Sequence, residues 1–209
     1  MQLFMNQIDV HPTREKILSK ALFVIRERGL ADTTIMDLCD AAGVTKGAFF
    51  HHFSSKEELA VAATRYWTKV TSGAFASAAY NDFEDPLDLL IAYVDLRADM
   101  IKGRSLPEFT CLLGTMVQEV YDTQPMVREA CNIGIDAHAA TVTKLVQDAK
   151  AAHAPRATWT AEGLALHTQA VIQGAFVLAK AKSDPQIAID SIIHLRHYIE
   201  LLFHHAKED

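Results

Sequence analysis

The chain has 209 residues and a formal net charge of -6 with histidine neutral; half of it is hydrophobic and 22% is charged. That balance excludes a largely disordered chain, and nine glycines and six prolines are too few for a loop-rich sandwich or a collagen-like chain. Three widely spaced cysteines, Cys39, Cys111 and Cys131, exclude a disulfide framework and a paired-cysteine metal site, and the total charge argues against a nucleic-acid binder.

The chain opens MQLFMNQIDVHP, without the basic start or long apolar run of a signal peptide. Ile17, Leu18, Ala21, Leu22 and Ile25 then recur at helical spacing, with Thr13 as expected N-cap and Gly29 as stop. A short helix is expected from Thr34 to about Ala42, capped by Thr33 or Thr34. A second short one runs from Lys46 to Phe53, capped by Thr45. A fourth helix opens at Ser55, with Glu58 at capping-box spacing, and runs to about Ala79. The polar stretch 81–85 is the expected domain boundary. Asp85-Pro86 starts the next helix, which runs to Gly103. Further helices are expected at 108–121, 125–152, 160–182 and 186–205, so the fold class is all-α with about nine helices. None is the roughly 20-residue apolar run that a membrane span needs, so a soluble cytoplasmic protein with no membrane partner is expected.

Splitting the charge changes its meaning. Residues 11–70 hold nine Lys and Arg against seven Asp and Glu, whereas residues 71–209 hold eleven against eighteen. A mildly basic N-terminal third is joined to an acidic remainder, a pattern that fits an anionic partner for the first part.

The informative stretch is TTIMDLCDAAGVTKGAFFHHFSSKEEL, residues 33–59. Two short helices joined by Ala42-Gly43-Val44-Thr45 make a helix-turn-helix, with Gly43 free to take the left-handed turn. Gly47 and Ala48 let the second helix approach a groove closely, and Lys46, His51, His52 and Lys56 supply donors. Helix starts near Thr34 and Ser55 offer free N–H groups to phosphates.

The whole string resembles the DNA-binding domain of TetR-family transcriptional regulators. The resemblance runs from TREKILSKALFVIRERGL through the AGVTKGA turn to HFSSKEEL, about 55 residues. It implies a DNA-binding domain over 11–60, with the helix at 55–80 leading into a ligand-binding and dimerisation domain over 81–209. It also implies that Thr34 and Lys56 contact phosphate and that Thr45, Lys46, Gly47 and Ala48 begin the recognition helix. His51 and His52 would reach bases or phosphates. Phe50 stands where the family usually has tyrosine, so a phosphate-bonding hydroxyl is replaced by a ring that can only pack.

Expected partners are double-stranded operator DNA, a second copy of the chain and a small-molecule effector, with no cofactor. Candidate cavity residues are Tyr93, Met100, Phe109, Cys111, Leu112, Met116, His138, Trp159, His167 and Gln173. The last two helices are apolar around their circumference and must bury more than one face, in an intrachain pair or against a second copy; the resemblance implies the second, with Leu164, Val171, Ala175, Leu178, Ile192, Leu195, Tyr198, Ile199 and Leu202 at a dimer interface.

The expected function is a homodimeric repressor released from a palindromic operator by its ligand. An activator, or an electrophile or redox sensor using Cys111 at a helix start, is the alternative on the same architecture. An all-α metal- or thiol-dependent enzyme is more remote, since no phosphate loop, H-E-x-x-H pair or nucleophile elbow is present. His194 with His197, and His204 with His205, lack a third ligand for a metal.

Overall fold

The computed structural model describes residues 11–208, with side chains to His204. The reading of residues 1–10 as no signal peptide, and His205 of the histidine pair, lie outside the described side chains. Ten α-helices and one 3-10 turn make up the described residues. They are α1 (Pro12–Arg28), α2 (Ile35–Ala42), α3 (Lys46–His52) and α4 (Lys56–Ala76), then the turn Ala79–Asp82. After it come α5 (Pro86–Asp99), α6 (Leu106–Phe109), α7 (Leu112–Val120), α8 (Pro125–His153), α9 (Ala161–Lys182) and α10 (Gln186–Glu208).

Most boundaries follow local chemistry. His11, not Thr13, caps α1: its Nδ1 accepts the Thr13 N–H at 3.3 Å, and Pro12 takes the first helical position. Gly29 ends α1 at φ +88°, and a Cβ there would collide with the Glu119 carboxylate. Thr34 caps α2 in a reciprocal box with Asp37. At α4, Ser55 Oγ accepts the Glu58 N–H at 3.0 Å, but it is Ser54 that donates back to the Glu58 carboxylate. Helix α5 stops at Asp99, four residues before Gly103.

The single helix expected at 108–121 is two. Thr110 is extended, and Cys111 caps α7 by placing Sγ 3.5 Å from the Gly114 N–H. The break frees carbonyls at the end of α6. Arg26 of α1 satisfies them, with Nη1 donating to Glu108 O at 3.1 Å and Thr110 O at 3.3 Å. The partner that permits the break lies 82 residues away.

Two apolar cores result. In the first, Ile17, Leu18, Ile25, Leu38, Phe49, Phe53 and Leu59 pack against Leu112, Met116, Val127 and Cys131, so α1–α4 dock on α7 and α8. The second joins α5, α8, α9 and α10 around Tyr93, Val142, Val146, Ile172 and Phe203. Leu164, Ala175, Ile192, Leu195 and Ile199 belong to this second core and are buried within the chain. That corrects their expected place on a partner-facing surface. Val171 and Leu202 are half-buried against the same core, while Leu178 and Tyr198 stand exposed. Leu166, Val177, Ile193 and Leu201 are exposed beside them. A helix that is apolar all round shows that two faces are covered, not which one faces its own chain.

Candidate nucleic-acid interface and ligand cavity

The turn between α2 and α3 is built by Gly43, at φ +57° and ψ +47°, with Val44 N–H closing onto Cys39 O at 3.0 Å. Thr45 then caps α3, its Oγ1 accepting the Ala48 N–H at 3.1 Å. Phe49 and Phe53 are buried and fix which side of α3 faces inward. The outward side presents Thr45, Lys46, Gly47, Phe50 and His51, with Ala48 half-buried between them. Nothing lies closer than 3.8 Å to a Cβ built at Gly47, so that side is open to an approaching surface. Phe50 is 45% exposed, with the Lys46 ammonium 5.9 Å from its ring. An exposed aromatic beside a cation has no use in a folded core and fits contact with sugar or a thymine methyl.

Three expected contacts sit differently. Thr34 is exposed, but its hydroxyl is engaged with Asp37 in the α2 cap. His52 leans back toward α1, 4.9 Å from the His11 ring. Desolvation and its neighbours His11, His51 and Arg14 hold its pKa below the usual value. Lys56 does not project outward: its ammonium donates to Leu30 O, Ala31 O and Thr33 O at 2.9, 3.1 and 2.9 Å. It locks the α1–α2 loop, so in this geometry it is a scaffold residue rather than a phosphate ligand.

Behind this domain lies a cavity with an empty volume of about 710 Å³, its open mouth included. Trp67, Thr71 and Phe75 of α4 form one wall, and Arg97 of α5 with Met100 just past its end another. Phe109, Cys111, Ile135 and His138 continue it, and Gln169, Gln173 and Phe176 of α9 close it. At Gly134 a Cβ would stand 2.7 Å from Leu113 and 2.8 Å from Thr68 Oγ1, so this glycine lets α8 approach α4 and α7.

Met100, Phe109, Cys111, His138 and Gln173 were expected at the cavity and line it. Tyr93 stands just behind, its hydroxyl 2.9 Å from His138 Nε2. Four expectations are corrected. Leu112 and Met116 are buried in the first core. Trp159 packs on Phe203 at 5.2 Å beneath the Lys150 ammonium, and exposed His167 faces Tyr198 at 5.1 Å. Apolar periodicity marks a buried face but not the face that meets a hole. The sequence reading passed over Trp67, Phe75, Arg97, Gln169 and Phe176. Arg97 left a signal, the one cation of α5, four residues after Tyr93 and so on the same face.

Burial and the Arg97 charge push the His138 pKa down to about 3, so its imidazole is neutral and accepts at Nε2. Between that value and the ordinary one near 6.5, the unfolded chain holds a proton that the folded chain lacks. Stability therefore falls as pH drops from about 6.5 toward 3. His138→Gln is expected to flatten the fall in melting temperature between about pH 7 and 5 relative to wild type. Equal slopes in the two proteins would show that His138 is not held neutral.

The thiols differ. Cys131 is buried and pushed up to about 12, and Cys39 is buried and raised too, both by desolvation first. Cys111 is half-buried and reaches both the main cavity and a neighbouring one toward Lys180. Among the described residues no three His, Cys, Asp or Glu come together as a metal-holding group, and no helix is long and apolar enough to cross a membrane.

Residues 17–63 match the family model of bacterial regulatory proteins, tetR family, and residues 86–194 match the tetracyclin repressor-like C-terminal domain. The chain belongs to the TetR family. It is therefore a DNA-binding transcriptional regulator with an N-terminal helix-turn-helix domain and a helical C-terminal domain, and not an enzyme. A TetR regulator from Chloroflexus aurantiacus is 31% identical, with a TM-score of 0.76 over 90% of this chain and 94% of that one. The repressor KstR2 of Mycobacterium tuberculosis is 44% identical over 50 residues, 24% of this chain and 25% of its own. The regulator CymR of Pseudomonas putida is 33% identical over 118 residues, 56% of this chain and 55% of its own. These two curated relatives are thus matched over a quarter to about half of their length, the first of them over little more than the TetR helix-turn-helix.

Proposed function

We propose that the chain is a homodimeric repressor in the cytoplasm that holds a palindromic operator and lets go when a small molecule enters the cavity. Residues 11–60 read the DNA, and residues 81–209 sense and dimerise. The observation that carries this reading is α4. Its first turn anchors the helix-turn-helix through Lys56, while Trp67, Thr71 and Phe75 farther along the same helix wall the cavity. A ligand that moves this wall moves the reading head. Half-sites about 34–36 Å apart, or a multiple of that, tolerate little change in head separation. The name of KstR2 as a repressor supports repression over activation.

In vitro selection from random duplex DNA tests the reading. A palindromic product bound with a steep salt dependence is expected, and no sequence preference at low salt would sink it. With that operator, Lys46→Ala is expected to weaken binding roughly fivefold to tenfold and to lower the salt slope by about one. Unchanged affinity would remove Lys46 from the interface. A reporter measured with and without the gene separates repressor from activator.

A second reading is favoured by the position of Cys111, the one described thiol that reaches the cavities. In it, alkylation or oxidation of Cys111 replaces a diffusible ligand. Iodoacetamide treatment is then expected to release wild-type protein from its operator and to leave Cys111→Ser bound. Equal release of both proteins would exclude it.

A further inference from the structure

Resting on the reading of the cavity as the effector site, we propose that it takes a hydrophobic monocarboxylate whose carboxylate is recognised by Arg97. A guanidinium carries five N–H donors. At Arg97 only Nη1 is engaged, at 3.3 Å from Tyr93 Oη and 3.0 Å from His138 Nε2. No described carboxylate forms an ion pair with it, although Arg28, Lys102, Lys144 and Arg196 each have one. Glu108 also reaches the cavity, but its carboxylate is held by the Ser105 N–H and hydroxyl at 2.6 Å each.

The surroundings steer the guanidinium rather than neutralise it. The Phe75 ring lies 5.3 Å beneath it, and neutral His138 and Tyr93 fix its edge. On α9, Gln169 Nε2 is buried with no hydrogen-bond partner. A half-buried cation without a counter-ion and a buried amide without an acceptor each cost stability unless something arrives to accept from them. A neutral or cationic ligand leaves the cation unpaired, whereas a carboxylate meets the free edge of Arg97 in the fork geometry it favours. One guanidinium implies one anionic group. Trp67, Leu113, Ile135, Phe109 and Phe176 line much of the remaining surface, which suits a flat apolar body.

The test uses the full chain without DNA and titrates it calorimetrically with 2-naphthoate, with neutral 2-naphthamide and with 2-naphthylmethylamine. The acid is expected to bind roughly tenfold to a hundredfold more tightly than the amide, the worth of a charge-assisted hydrogen-bonded pair, and the amine more weakly still. Arg97→Gln is expected to bring the acid-to-amide ratio close to one while amide binding persists. Arg97→Lys, which keeps charge but not the fork, should retain part of the preference. Circular dichroism and melting check that each variant is folded. Should Arg97→Gln fail to fold, Arg97→Lys and Gln169→Leu carry the test, each with a reduced ratio expected. Equal binding of acid and amide, saturation by none of the three, or a preference undiminished in the folded variants overturns the proposal. Because no operator is present, this outcome is separable from that of the DNA-binding reading: either can fail while the other stands.

Discussion

Leu178→Glu is expected to convert the protein from dimer to monomer and to weaken operator binding at least a hundredfold. Leu178 is 50% exposed on α9, in line with Leu166 at 54% and Val177 at 45%. Ile193 at 40%, Tyr198 at 44% and Leu201 at 54% repeat the pattern on α10. At about 100° per residue, the three on α9 fall within an arc of about 120° and the three on α10 within about 140°, so each helix carries one broad apolar stripe along its outer side. Gly174 lies in the α9 stripe with open space where a Cβ would stand, which leaves room for a facing helix. A two-fold interface meets itself, so a single substitution places two new carboxylates in one apolar contact, where their desolvation opposes association. Each head alone then grips one half-site, and the gain from linking two heads, on the order of a hundredfold to ten-thousandfold, disappears. Met126→Glu, at a 62% exposed apolar residue on α8 away from the stripes, is the control and should change neither property. Sedimentation velocity and operator titration read both. A dimeric Leu178→Glu protein that still binds its operator would place the interface elsewhere.

What the sequence disclosed, and what it hid, divides by the range of the forces involved. Caps and turns act within about four residues, so Thr45, Gly43 and the Asp85-Pro86 start were legible. Phe49 and Phe53 were legible as well, since a seven-residue helix has only one side to bury. The α6–α7 break was not, because the groups that stabilise it come from Arg26, far away in the chain. The last two helices were read as partner-facing when Leu164, Ile192, Leu195 and Ile199 belong to the chain's own core. Both readings need apolar residues on every side, and only packing tells them apart. The cavity was half legible for the same reason. Met100, Phe109 and His138 signalled burial, but a hole forms where faces of six helices fail to meet, and no single helix encodes that. Lys56 shows the converse: its family motif suggested phosphate, while three nearby carbonyls claim its ammonium.

Arg26→Met is expected to leave operator binding within a few-fold of wild type and to abolish release when the cavity is filled. Arg26 sits on α1, in the reading head, yet nearly everything it touches belongs to the sensor side. Its guanidinium lies 4.8 Å from the Trp67 ring and bonds the carbonyls at the α6–α7 break, next to Phe109 and Cys111. From α9, Lys180 donates to the Arg26 carbonyl at 3.0 Å and to Thr115 Oγ1 at 3.2 Å. Burial pulls the Arg26 pKa down to about 10, with Cys111 and Glu108 opposing, so it stays charged at neutral pH at a cost in desolvation. Methionine keeps much of the side-chain bulk and relieves that cost, but strands two carbonyls at about 1–3 kcal/mol each. The opposing signs keep the net stability change modest and direct the effect onto coupling. Ordinary coupling between two sites is worth about 1–3 kcal/mol, roughly five- to 150-fold in affinity. Carbamidomethylation of Cys111, the trigger of the second reading, attaches a covalent group at the cavity in both proteins and is confirmed by mass. Operator affinity should then fall by at least tenfold in wild type and by less than threefold in Arg26→Met. Equal losses would show that the signal reaches the head through α4 alone.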